Sequence, residues 1–158
     1  VLSAVTGAAV EVALDADVTV VEAGGTCIDN AEAECTAADV DASLLEADDG
    51  EIVDDCLHTH LLRSLCPVTG QPDLGSLIVR YTGPRIDPAA LLGYVVSFRQ
   101  HQDFHEACVE RMFVDILERC CPTRLSLHAR YQRRGGIDIN PFRSSQDERP
   151  ANTRLWRQ

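Results

Sequence analysis

A cysteine and an aspartate stand seven residues apart in one short segment, and their side chains could act together in a reaction. The segment, residues 65–73, has the sequence LCPVTGQPD and contains Cys66 and Asp73. Its two prolines fix φ and its glycine permits a tight bend, so the loop costs little extra entropy to order. The functional interpretation is a nucleophile with a proton donor beside it. A plain turn with a half-buried cysteine is the alternative, and these nine residues leave both open.

A histidine and a glutamate, His105 and Glu106, stand together at the predicted start of a helix. A carboxylate at this position caps the helix and interacts favourably with its dipole, so Glu106 has a structural explanation. The same dipole disfavours a charged imidazole. We therefore expect His105 to be neutral and able to form a hydrogen bond with a ligand.

Two further groups have types and spacings that suit ligands. Residues 133–136 (Arg-Arg-Gly-Gly) combine fixed positive charge with backbone that a ligand can approach, which suits a phosphate. A basic hairpin turn is the alternative, and the chain has no glycine-rich nucleotide motif. His58 and His60 would face the same way on a strand and could bind zinc with Cys66, but no fourth ligand is evident.

The spacing of apolar residues predicts the elements that position these side chains. Residues 57–65 and 75–81 are predicted strands, joined as a hairpin by the loop of residues 65–73. Residues 88–101 form a predicted first helix, because Asp87 is a good N-cap and a proline follows it.

A second predicted helix starts at a capping aspartate, Asp103, with Glu106 completing the cap, and ends at Cys121 before a proline. Residues 124–132 alternate between apolar and polar, and residues 137–139 form a last strand. The order strand, strand, helix, helix, strand, strand predicts an antiparallel sheet with two helices on one face, in the α+β class.

Charge divides the chain into two parts. Residues 1–55 contain fifteen acidic residues and no basic residue, whereas residues 56–158 contain ten acidic residues and all fourteen basic ones, every one an arginine. We predict an acidic region with peripheral strands and loops over 1–55, including strands at 10–14 and 18–21, and a module over 56–158 that carries the candidate site residues. The acidic part would repel nucleic acid, and the arginines suit an anionic cofactor.

Cysteine usage and hydropathy indicate the cellular environment. None of the seven cysteines forms a Cys-x-x-Cys pair, so the sequence indicates neither a disulfide framework nor a zinc ribbon. Free cysteines of this kind suit a reducing cytoplasm. No apolar run approaches the ~20 residues of a membrane-spanning helix. Because the chain starts at Val1 and not at methionine, we expect a processed or truncated N-terminus and a longer parent protein.

Four segments together resemble one family, the NADPH-dependent 7-cyano-7-deazaguanine reductases, which are nitrile reductases of queuosine (tRNA modification) biosynthesis. They are residues 65–73 (LCPVTGQPD), 97–99 (SFR), 104–106 (FHE) and 133–141 (RRGGIDINP). The resemblance covers roughly residues 55–158. A weaker match, residues 25–29 (GTCID), resembles a segment of the longer, two-module members.

The resemblance implies the tunnelling fold and a covalent mechanism. Cys66 would attack the nitrile carbon to form a thioimide, and Asp73 would donate a proton. His105 and Glu106 would bind the deazaguanine, and Arg134 with its neighbour Gly135 would contact NADPH. Two hydride transfers would then give 7-aminomethyl-7-deazaguanine. The resemblance implies no metal, although proteins of this fold that act on pterin precursors use zinc.

One departure from the family pattern indicates whether this chain holds a complete active site. Single-module members carry a Glu-Ser-Lys-Ser type motif after the second strand, where residues 86–92 here are IDPAALL. The chain therefore resembles the C-terminal half of a two-module enzyme. The resemblance implies that the N-terminal module is its partner and that the enzyme assembles as a homodimer. We expect this chain to have little activity without that module. Two alternatives are a non-catalytic purine- or pterin-binding module of this fold and a zinc enzyme resembling the cyclohydrolases.

Overall fold

Short elements surround a pair of long strands and two helices. The computed structural model describes residues 2–10, 19–34, 36–151 and 153–158. In chain order the elements are α1 (Leu2–Thr6), β1 (Val20–Val21), β2 (Thr26–Cys27), β3 (Ala47–Leu65), β4 (Pro72–Ile86), α2 (Pro88–Ser97), α3 (His105–Cys120), β5 (Arg124–Arg134), β6 (Ile137–Ile139), β7 (Phe142–Ser144) and β8 (Arg154–Leu155). Two 3-10 turns lie at Ala42–Leu44 and Phe98–Gln100.

The main sheet has the order β2, β3, β4, β5, with β6 and β7 both along the free edge of β5. All its pairs are antiparallel except that of β2 with β3, and β1 pairs separately with β8. The sequence from β3 to β6 is strand, strand, helix, helix, strand, strand, as predicted. The predicted hairpin is also present, because Leu65 pairs with Pro72 at its closed end.

Both long helices pack on one face of this sheet. The buried face of β4 carries Leu77, Val79 and Tyr81, and each of these pairs across the sheet with a buried residue of β5. Alternate residues of a strand share a face, so this apolar series forms one layer of the core. The helix residues that complete the core are Leu91, Leu92, Tyr94, Val95, Val96, Cys108, Val109, Met112, Ile116 and Cys120.

A β-bulge in β3 decides which side chains point toward the helices. Thr59 pairs with Leu77 and Leu62 pairs with Gly75, so two residues of β3 lie opposite one residue of β4. Such an extra residue reverses the alternation of faces along the strand. Beyond the bulge, Ser64 therefore shares the helix-packed face, and its partner Asp73 is on the same face at the start of β4.

The first helix begins where predicted but ends at Ser97, where the 3-10 turn of Phe98–Gln100 follows, and the second helix begins later than predicted. Asp87 Oδ1 accepts a hydrogen bond from Ala90 N at 2.8 Å, as expected of an N-cap. The second helix starts at His105, after Phe104, and not at Asp103. The prediction of Asp103 as its cap was wrong because the backbone N–H of Asp103 donates to Leu65 O, at 3.2 Å, and keeps the chain extended there.

The acidic part of the chain contributes to the same sheet and core. The expected boundary between residues 55 and 56 falls inside β3, and Ile28 and Leu45 are buried in the main core. Of the two strands expected near the N-terminus, Val20–Val21 is present, whereas most of residues 10–14 lies outside the described residues. No helix among the described residues is long and apolar enough to cross a membrane.

Candidate functional site

The Cys66 loop is a closed turn that begins directly after β3. Cys66 N donates a hydrogen bond to Gln71 O at 2.8 Å, and Gly70 N donates to Cys66 O at 2.9 Å. Gly70 has φ of +68°, a left-handed conformation that strongly favours glycine. The sequence of this segment therefore fixes the turn locally and presents a half-buried thiol at its start.

A second set of hydrogen bonds attaches this loop to the start of α3. Leu65 N donates to His101 O at 2.8 Å, and the extended backbone beside it forms a parallel bridge to Leu65 at Gln102. The Gln102 side chain donates from Nε2 to Cys66 O at 3.1 Å. The thiol loop and the N-terminus of α3 are consequently held side by side.

The environment of Cys66 favours the thiolate. Hydrogen bonds from the Thr69 hydroxyl, and then from the backbone N–H groups of Thr69 and Val68, lower the pKa of the Cys66 thiol, and the positive charge of Arg134 adds to the effect. A lower pKa increases the fraction of thiolate, which is the nucleophilic form.

Asp73 is a buried carboxylate with a cation on one side and an imidazole on the other. Arg134 Nε donates to Asp73 Oδ1 at 2.8 Å, and His105 Nε2 lies 3.3 Å from the same oxygen. The approach of His105 does not have hydrogen-bond geometry, and among the described residues neither His105 Nε2 nor Asp73 Oδ2 has a hydrogen-bond partner. Buried polar atoms usually have partners, so these two atoms are available to a ligand.

His105 is oriented by an aromatic ring that sequence reasoning did not single out. The ring centroids of His105 and Tyr131 are 4.2 Å apart, and the ring planes are inclined at 65°. The Tyr131 ring has room to pack against β4 because its partner there is Gly75, which has no side chain. A Cβ at residue 75 would lie only 3.1 Å from Tyr131 Cδ1. The one signal for Tyr131 was its place on the apolar side of an alternating strand, which indicates a core residue and no more.

The structure brings together four of the six predicted site residues. Asp73 contacts His105 and Arg134, and Arg134 is close enough to Cys66 to act on its thiol. Glu106 is exposed on α3 and makes no hydrogen bond or ion pair with the described part of the chain. Successive residues of a helix point about 100° apart, so Glu106 lies outside the buried cluster of Asp73 and His105.

The turn after β5 is open. Gly135 and Gly136 have φ of +56° and +83°, and no atom lies within 4 Å of where a Cβ would be at either residue. Arg133, before them, is exposed and lies 4.0 Å from the carboxylate of Asp138. A groove runs between this turn and the start of β4, lined by residues 71–74 and 132–135.

The possible metal ligands assemble differently from the prediction. His58 and His60 lie close together, but their third neighbour is Cys27 and not Cys66. The alternative with Cys66 as the third ligand is not formed: β2 pairs with β3 and places Cys27 opposite His58. A strand of only two residues, formed through this pairing, gave no pattern from which it could be predicted.

A solved structure identifies the fold. The crystal structure of the archaeosine synthase QueF-Like in the apo form matches with a TM-score of 0.52 and 17% sequence identity, covering 60% of this chain and 92% of that chain. At this identity the likeness is one of fold. This chain therefore belongs to the class of α+β proteins that have the tunnelling fold, as the resemblance implied.

The family follows from the sequence. The model of the family QueF-like protein matches residues 72–150, and the chain belongs to this family. The NADPH-dependent 7-cyano-7-deazaguanine reductase of Azoarcus sp. (strain BH72) is 56% identical over 128 residues, 81% of this chain and 45% of the relative. The enzyme of the same name from Chromohalobacter salexigens is 53% identical over 135 residues, covering 85% and 48%. The chain thus spans about half the length of the curated relatives it matches.

Proposed function

We propose that this chain is the module that performs covalent catalysis in an NADPH-dependent 7-cyano-7-deazaguanine reductase of queuosine biosynthesis. The observation that carries the proposal is a thiol of lowered pKa, Cys66, next to a buried cluster of Asp73, His105 and Arg134. Two relatives that share more than half of their aligned residues with this chain bear that enzyme's name.

The first chemical step uses Cys66 and a proton donor. The sulfur of Cys66 forms a bond to the nitrile carbon and one carbon–nitrogen π bond breaks. The carboxylate of Asp73 takes the proton that the thiol loses and donates it to the nitrogen. The product is a covalent thioimide, which holds a more electrophilic carbon in a fixed position. Asp73 can serve because its Oδ2 is buried and has no hydrogen-bond partner in the described part of the chain.

Substrate recognition falls to the start of α3. His105 Nε2 is buried without a hydrogen-bond partner among the described residues, and it is therefore free to bind the ring of the deazapurine. The carboxylate of Glu106 is an acceptor of the kind that suits the donor edge of a guanine-like base. Because Glu106 is exposed here, we propose that the bound substrate covers it.

The turn of residues 133–136 fits the phosphates of NADPH. Its glycines leave the backbone open to a close approach, and two arginines stand directly before them. Arg133 and Gly135 are exposed there, whereas Arg134 would exchange its contact with Asp73 for one with the cofactor. When bound, NADPH supplies the hydrides that take the nitrile to the aminomethyl group.

A second module would complete this site. The position of the Glu-Ser-Lys-Ser type motif is occupied by residues 86–92, which form the capped start of α2 and provide no Glu or Lys. We propose that an N-terminal module of the same enzyme supplies those side chains, and that the assembled enzyme is a homodimer. We further propose a cytoplasmic location, in keeping with six free cysteines in the described residues.

Intact mass spectrometry tests the covalent step. The chain would be incubated with 7-cyano-7-deazaguanine, alone and joined to the N-terminal half of the Azoarcus relative. We expect one adduct of the substrate's mass on the joined protein, none on its Cys66→Ala variant, and a normal adduct on a Cys121→Ser variant, which changes an exposed cysteine outside the site. With NADPH present, two cofactors should be consumed per nitrile.

Two outcomes would count against the proposal. An adduct or turnover that survives Cys66→Ala would contradict the role of this thiol. Tight binding of the substrate by the joined protein with neither adduct nor turnover would instead favour a non-catalytic purine-binding module.

A further inference from the structure

A segment near the N-terminus runs beside β3 and forms the edge of the main sheet. It includes β2, and its backbone is joined to the strand where Ile28 N donates to His58 O at 2.9 Å. Gly25 makes this approach possible, since its φ is +83° and a Cβ there would lie 2.0 Å from Cys56 O. Neither the proposed chemistry nor the proposed binding of substrate uses this segment.

This arrangement gathers three side chains of the types that bind transition metals. One ligand atom from each of Cys27, His58 and His60 lies within 4.8 Å of the other two. The imidazole rings are 5.2 Å apart between centroids and inclined at 63°. Tetrahedral zinc with nitrogen and sulfur ligands requires about 3.3–3.6 Å between ligand atoms, by the usual bond lengths. A side-chain movement of roughly 1 Å would close that difference.

Both histidines have a polar partner at Nδ1, which leaves Nε2 of each ring without a hydrogen bond in the described part of the chain. His58 Nδ1 lies 3.0 Å from Gly24 O, and because a carbonyl oxygen only accepts, Nδ1 carries the proton and Nε2 keeps its lone pair. His60 Nδ1 lies 2.6 Å from the buried Ser76 Oγ, a hydroxyl that can accept a hydrogen bond from Nδ1 and so leave Nε2 its lone pair. Metal-binding histidines in proteins are usually oriented in this way, by a partner on the nitrogen that does not bind the metal.

The charges around the cluster favour a cation on balance. Asp29 Oδ1 accepts hydrogen bonds from His60 N at 2.9 Å and from Thr59 Oγ1 at 2.6 Å, which fixes a carboxylate beside the cluster. Glu22 adds a second negative charge near His60, and Arg157 opposes them.

We propose that Cys27, His58 and His60 form a binding site for a zinc-like divalent cation, with the fourth coordination position open to water. A thiolate and two imidazoles are donors that suit zinc, and three protein ligands with one open position is an established coordination pattern for it. The side chains of His58 and His60 are on the face of the sheet opposite the helices. A metal ion bound there departs from the expectation that the protein binds no metal.

Cobalt and zinc titrations of the whole chain test the site without any measurement of catalysis. Co²⁺ would be added to the reduced protein, and the thiolate-to-cobalt charge-transfer band would be followed; Zn²⁺ should then abolish the band at one equivalent. We expect Cys27→Ser to remove the band and His58→Asn to weaken zinc binding at least tenfold. Ser76→Ala, which alters only the support of His60, should weaken it roughly 10- to 100-fold.

A matched variant separates this site from the reactive thiol. Cys66→Ser should leave the band and the zinc affinity unchanged, and circular dichroism of the metal-free variants would verify that each is folded. The proposal would be overturned if the wild-type protein shows no thiolate–cobalt band. A band that survives Cys27→Ser, or one that disappears with Cys66→Ser, would overturn it equally. Because the readout is metal binding alone, failure here leaves the proposed reductase function untouched.

Discussion

The carboxylate of Asp73 is bound by the guanidinium of Arg134, so the proposed proton donor and the proposed cofactor contact form one ion pair. Asp73 is only 5% exposed, whereas the Arg134 side chain is 36% exposed and reaches the open turn after β5. The hydrogen bond to Asp73 raises the pKa of Arg134, which is positively charged throughout the physiological range. A cofactor phosphate that attracts Arg134 would therefore change the surroundings of Asp73 at the same time.

This pair should be coupled in stability more strongly than an exposed pair. A double-mutant cycle with Asp73→Asn and Arg134→Gln should give a coupling free energy of about 1–3 kcal/mol, because removing Arg134 leaves the buried carboxylate of Asp73 without its cation. Urea unfolding of the four proteins measures it. The exposed pair of Glu51 and Arg85 is the control, and there we expect about 0.2–1 kcal/mol. Equal coupling free energies for the two pairs would contradict the argument that burial of Asp73 strengthens its interaction with Arg134.

The reactivity of Cys66 should depend on the hydroxyl of Thr69. Because that hydroxyl is the largest influence lowering the pKa of Cys66, Thr69→Val should move the pH midpoint of alkylation by iodoacetamide upward. Peptide mapping by mass spectrometry would report the rate at Cys66 alone. Thr69→Ser keeps the donor and should leave the midpoint nearly unchanged. A midpoint that moves equally in both variants would show that loop shape, and not the hydroxyl, controls the thiol.

The fit of Tyr131 against β4 should be sensitive to one methyl group. Gly75→Ala places a Cβ 3.0 Å from Arg130 O and 3.1 Å from the Tyr131 ring, and neither can move easily inside the sheet. We expect a loss of about 1–3 kcal/mol in the free energy of unfolding. Reductase activity should fall too, because Tyr131 orients His105.

The same substitution elsewhere provides the control for Gly75→Ala. Gly93 lies within α2, where a Cβ would be 3.6 Å from its nearest neighbour, Glu34 O, which is an ordinary contact. Gly93→Ala should therefore stabilise the protein by about 0.5–1 kcal/mol, because alanine favours a helix more than glycine does. Thermal unfolding of both variants would compare them. Destabilisation of similar size by the two would refute the argument from the contact with Tyr131.

Stability should fall in mild acid because of His128. Burial, and then the charge of Arg130, lowers the pKa of His128 to about 4 from 6.5. Between these pH values the unfolded chain binds more protons than the folded one, so stability decreases as pH falls from about 6.5 to 4. Replacement by His128→Asn should reduce that decrease by about 1–3 kcal/mol, since His128 is only half-buried. Urea midpoints at several pH values would test this, and identical pH profiles would contradict it.

Local patterns were sufficient to predict most of the main elements. The alternation through residues 124–132 predicts β5, the capping aspartate Asp87 predicts the start of α2, and the proline-bracketed turn at Cys66 joins β3 to β4 as expected. These features depend on neighbours in the sequence. The start of α3 was placed too early, because a backbone bond from Asp103 to Leu65, distant in the chain, overrides the capping preference.

The sequence by itself determined the α+β order of elements and the family, since these rest on local spacing and on the types of residue in motifs. Only the tertiary structure decided which side chains meet. The pairing of β4 with β5 and the packing of α3 on the same face bring Asp73 beside Arg134 and His105. Pairing of the two-residue strand β2 with β3 brings Cys27 to the histidine pair. Both results come from contacts between distant parts of the chain, which no local pattern records.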